Sequence, residues 1–147
     1  EFAANTGKGS NYSSVLYFEQ EYFIGITENT ETTENEIILF DKELNQLDIK
    51  NLTNAHIPTL SKSLAKNEKE NVFAIPAYFT DGLKRCYGVI TFEIENNHIV
   101  LTNEFKNENS DMMYQGNCII INDYVYNVET NDFLADDKKV KIFSYKY

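Results

Sequence analysis

The side chains able to ligate metals, attack substrates or move protons are few in this chain and far apart. His56 and His98 are the only histidines, and Cys86 and Cys118 the only cysteines. A structural zinc site needs four nitrogen or sulfur ligands, which usually arrive in closely spaced pairs. No His-x-x-His or Cys-x-x-Cys pair occurs. No Gly-x-Ser-x-Gly elbow is present, and neither cysteine has a histidine nearby in sequence to activate it. With 23 acidic residues, nothing singles out one carboxylate pair for acid–base work. Gly7-Lys8-Gly9-Ser10 has no strand before it and is not a phosphate loop. Residues 107–111, Asn-Glu-Asn-Ser-Asp, alternate oxygen-bearing side chains, which makes Asn107, Asn109 and Asp111 the candidate calcium ligands. The stretch Asp132 to Asp137 adds three aspartates. Neither loop has the turn glycine or closing glutamate of an EF-hand, so a solvated acidic loop is the simpler reading and no cofactor is expected. The remaining candidates are aromatic. Tyr78, Phe79, Tyr87 and Tyr114 fall at strand ends or beside loops, where such side chains pack against protein or carbohydrate surfaces. Their ordinary alternative is a half-buried place in a strand.

Charge narrows the partners. The net charge is −10 and Arg85 is the only arginine. Nucleic-acid binding needs clustered lysine and arginine to displace counterions, so DNA, RNA and anionic membranes are disfavoured. A basic partner or a cation fits better, although acidity also simply keeps a surface soluble. No apolar run approaches the ~20 residues of a membrane helix. The beginning of the chain lacks a signal-peptide pattern and reads as that of a mature product or an excised fragment.

The elements that must position these residues are strands. Residues 22–26, 72–76 and 124–128 are short aromatic or β-branched runs, and each is followed by a second run ending in Phe40, Phe92 or Phe143. The closing phenylalanines lie 52 and 51 residues apart. A strand-only unit of about 50 residues that recurs three times is the mark of propeller blades or related arrays. The expected fold is therefore all-β, with about three antiparallel four-stranded units over 15–54, 61–107 and 115–147, behind a flexible lead-in over 1–14. The third unit lacks a fourth strand. Eighteen asparagines and only six glycines mean that many turns must be built from Asn. Asn96-Asn97 fits a two-residue type I′ hairpin turn, and Asn122-Asp123 is a second candidate. Pro76 predicts a bulge or an unpaired position in its strand. Cys86 and Cys118 fall in strands of neighbouring units and read as free buried thiols, with a disulfide as the alternative.

The second and third units resemble the C-terminal blades of the secreted β-propeller-domain proteins of bacteria and archaea. The residues that carry the resemblance are 66–76, a charged turn followed by an apolar run ending in Ile75-Pro76; 87–94, Tyr-Gly-Val-Ile-Thr-Phe-Glu-Ile; and the hairpin 118–128. The resemblance implies a secreted or cell-surface protein and transfers no catalytic residue. Three blades cannot close a ring, so a longer chain or a homo-oligomer is expected to complete it.

The function expected from these readings is a noncatalytic binding scaffold that contacts a protein or glycan at a cell surface. One alternative is a small acidic inhibitor or immunity-type protein masking a basic toxin or nuclease, which would be cytoplasmic. Another is a lipocalin-like barrel around an apolar ligand.

Overall fold

A computed structural model describes residues 13–18, 22–29, 32, 34–57, 64–67, 69–81, 84–107, 114–130 and 140–147. Among them no residue is helical. The fold is all-β and built from antiparallel sheets, one of them strongly curled into a half-barrel. The chain divides into two compact units, 1–55 with 94–100, and 56–93 with 101–147.

The first unit holds a four-stranded meander of β1 (Ser13–Phe18), β2 (Tyr22–Glu28), β3 (Asn35–Asp41) and β4 (Gln46–Leu52), in that order across the sheet. The run Ile37-Ile38-Leu39-Phe40 on β3 is apolar on both faces, and all four residues are buried. A strand that reads apolar without alternation is one covered on both sides. Phe23 lies opposite Phe40 in the β2–β3 ladder. The β3–β4 turn is tied by Asp41, whose carboxylate accepts from Asn45 N at 2.8 Å and Asn45 Nδ2 at 2.9 Å. That hydrogen-bonding asparagine holds the Asp41 carboxyl below its ordinary value.

The second unit holds most of a five-stranded sheet: β5 (Ala55–His56), β6 (Ala65–Asn67), β7 (Val72–Asp81), β8 (Lys84–Glu95) and β9 (His98–Asn107). The tip of the β8–β9 hairpin, Ile94–Val100, belongs to the first unit. There Asp48 Oδ2 on β4 accepts from the backbone N–H of Ile99 at 2.7 Å. Pro76 makes no bulge toward β8. It sits opposite Val89 in an unbroken ladder, and on its other side β6 pairs only residues 72–74. β5 pairs with β7 as well. Phe73 and Phe92, opposite each other, are fully buried and stacked at 5.2 Å.

The remaining strands, β10 (Tyr114–Ile121), β11 (Tyr124–Thr130) and β12 (Val140–Lys146), form a three-stranded sheet. Its inner side places Cys118 and Val125 against Ala74 and Val89, with Phe105, Ile120, Tyr145 and Tyr147 packed around them. Both cysteines are free, and the Cys118 thiol donates to the carbonyl of Ala74 at 3.1 Å. Turn chemistry follows the asparagines. Asn54, Asn71, Asn96, Asn97 and Asn122 all have positive φ, and Asn96-Asn97 has the two consecutive values, 50° and 66°, that a type I′ turn needs.

Candidate functional site

Three places in the second unit carry polar or exposed groups that the fold alone does not explain. The first gathers the aromatic candidates. Tyr78 and Tyr87 are opposite each other on β7 and β8 with ring centroids 6.1 Å apart, and both are half-buried. His56 of β5 stacks on Tyr78 at 4.9 Å and 16°, and the Arg85 guanidinium lies 5.6 Å from the same ring. The His56 stack covers one face of the Tyr78 ring, so that face is not open to a sugar. Phe79 does not stand at a loop mouth. It is a core residue, 4% exposed, with Lys106 Nζ 4.7 Å from its ring. It points to the opposite side of β7 from Tyr78, as successive strand residues must. Tyr114 lies opposite Thr130 at the start of β10. Arg85 was within reach of sequence reasoning, since it precedes Tyr87 by two on the same strand face. His56 was not, because only the pairing of β5 with β7 brings it there.

The second place is polar and inward-facing. Asn127 and Glu129 alternate with Val125 on the buried side of β11, and Asn127 Nδ2 donates to Glu129 Oε1 at 2.9 Å. Asn127 Oδ1 and the Tyr145 hydroxyl are buried without a hydrogen-bond partner. Burial, then the charges of Glu129 and Cys86, push the Tyr145 hydroxyl up to about 12. Nearby, Tyr147 ties the chain down: its Oη accepts from Asn67 Nδ2 at 2.6 Å and lies 2.8 Å from the carbonyl of Asn122. Of the calcium candidates, Asn107 is the last residue of β9, while Asn109 and Asp111 lie outside the described residues, as do Asp132 to Asp137. Among the described residues no group of three His, Cys, Asp or Glu side chains is placed to hold a metal ion.

The third place is the outward face of β10–β11–β12. Its cross-strand rows are Asn117–Val128–Ile142, Ile119–Tyr126–Ser144, Ile121–Tyr124–Lys146 and, past a register shift in β10, Tyr114–Thr130–Val140. Ile119 is 51% exposed, Ile121 50%, Tyr124 41%, Val140 63% and Ile142 66%. Val100 is the only other large apolar side chain so exposed among the residues whose burial is described. The sequence signal for this face was available on β10: Cys118-Ile119-Ile120-Ile121 puts apolar residues at successive positions, the pattern of a strand buried on both sides. Here one side is open.

Compared with known proteins, the chain matches no family model, no curated protein and no solved structure.

Proposed function

We propose that this chain is a noncatalytic binding module, built as a propeller-like tandem of sheets, that holds a protein partner through the outward face of β10–β11–β12. One observation carries this reading: of the six exposed large apolar side chains among the residues whose burial is described, five lie together on that one sheet face. Isolated exposed leucines or valines are ordinary, whereas a contiguous apolar patch on a protein marks a contact surface or an aggregation hazard. We take the partner to be a protein, because the most exposed side chains of this face, Ile119, Ile121, Val140 and Ile142, are aliphatic, and aliphatic side chains give a sugar no hydrogen bond.

The propeller-like reading draws support from the equivalence of strands. Phe40 lies on β3, Phe92 on β8 and Phe143 on β12. Counting the meanders β1–β4, β6–β9 and β10–β12, each phenylalanine falls on a third strand, paired with the second strand before it. The resemblance of 66–128 to blades of secreted propeller-domain proteins supports placing the module at a cell surface.

The test is site-specific photocrosslinking. A photoreactive residue replaces Ile121 in the protein as made by its own cell, with and without Ile142→Asp. The reading expects an adduct of defined mass that Ile142→Asp abolishes. No adduct, or one that persists unchanged in the variant, overturns it.

A further inference from the structure

We infer that the partner of this face is a second copy of the same chain, docked sheet against sheet about a two-fold axis. The inference rests on the binding reading above and names its occupant.

The charges placed on this face argue against the other natural candidate. An acidic chain of net charge −10 attracts basic partners, but only through its carboxylates. The outward positions of the three strands are Asn117, Ile119, Ile121, Tyr124, Tyr126, Val128, Thr130, Val140, Ile142, Ser144 and Lys146. No carboxylate is among them, and the single charge is the cation Lys146 at one corner. Among the described residues of this face a basic partner finds no counter-charge. The acids of this sheet that the ladders place, Glu129 and Asp123, lie on its inner side and in a turn. Two copies of so acidic a chain repel each other in general. They approach at least cost where acids are missing, and this face is such a place. A face that is mainly apolar and almost uncharged can pair with a copy of itself, as an isologous two-fold contact requires.

Area agrees. Five side chains exposed by 41–66%, with half-buried Tyr126 and Val128 between them, present roughly 500–600 Å² per copy. Two copies together then bury on the order of 1,100 Å², just above the ~1,000 Å² that separates specific interfaces from casual contacts. Face-to-face sheets pack about 10 Å apart with interdigitated side chains. An interface of this minimal size predicts a micromolar dimer.

Sedimentation equilibrium of the 147-residue chain over roughly 1–500 μM tests this. The expected result is reversible conversion from 17.0 kDa to twice that mass. Ile142→Asp and Ile119→Asp, on different strands, each weaken the dimer by about 100-fold or more, while Val100→Asp, exposed but outside the face, leaves it unchanged. Circular dichroism and urea midpoints establish that each variant is folded. A wild-type chain that stays monomeric across the range overturns the inference whatever the variants do, and so does a dimer indifferent to both face variants. In the crosslinking experiment an adduct of twice the chain's mass supports both readings. An adduct to a different protein sinks the second-copy inference and keeps the binding module, and no adduct sinks the binding module itself.

Discussion

At the scale of single residues, two side chains sit where backbone or solvation works against them. Leu44 has φ of 66° in the β3–β4 turn, where other turns of this chain use asparagine. A left-handed conformation costs a residue with a Cβ roughly 1–2 kcal/mol, and asparagine recovers part of this through local hydrogen bonds. Leu44→Asn is therefore expected to raise the unfolding free energy by about 0.5–1 kcal/mol, read from the urea midpoint. Tyr145 is the second case. Its hydroxyl is buried without a partner, so removing it leaves nothing orphaned. Tyr145→Phe is expected to keep stability at neutral pH within about 0.5 kcal/mol. The variant separates from wild type only in alkali. An unfolded tyrosine loses its proton near ~10, whereas the folded one keeps it to about 12. Between those values the folded state binds more protons, so stability is complete below the window and falls as pH rises through it. Tyr145→Phe removes that part of the alkaline decline, and urea midpoints at neutral pH and across the window check it.

At the scale of strands, β11 and β8 each carry one position that the packing cannot yield. On β11, Asn127 supplies a donor to the buried Glu129 carboxylate. Asn127→Leu fits the apolar surroundings but removes that donor from a buried carboxylate, and an expected loss of about 1–3 kcal/mol would appear in the urea midpoint. On β8, a Cβ added to Gly88 would stand 1.8 Å from the carbonyl oxygen of Phe105 on β9. Backbone that close to backbone cannot move aside as a side chain can. Glycine inside a strand marks a sharp bend or a close approach, and here β9 takes the space. Gly88→Ala is expected to cost about 3 kcal/mol or more and to break the β8–β9 ladder, visible as lost amide protection from Leu101 to Phe105.

At the scale of the whole molecule, charge and the apolar face act against each other. Copies of a chain with net charge −10 repel, and salt screens that repulsion over about 10 Å or less at and above 0.1 M. Association through an uncharged face is therefore expected to strengthen as salt is raised from about 20 to 500 mM, measured as the dimer dissociation constant. Association through paired charges would weaken instead. The same acidity explains how the chain tolerates an open apolar sheet face: like charge elsewhere opposes unordered aggregation.

The local physics was legible in the residues. Period-two alternation and β-branched runs announced strands, and asparagine pairs announced left-handed turns. The two-sided apolar run 118–121 announced a strand with two faces to cover. These features depend on neighbours one or two residues away, and a sequence states them directly. What brings distant residues together is different. That His56 stacks on Tyr78, that Phe79 is core while Tyr78 is not, and that β6 stops short of Pro76 all follow from which strand lies beside which. So does the exposure of Ile119, since a two-sided strand reads identically whether its second face is covered or open. The chain alone determined an all-β antiparallel protein with asparagine turns; only the tertiary structure decided which apolar face remained uncovered, because burial is a property of neighbours and not of the strand.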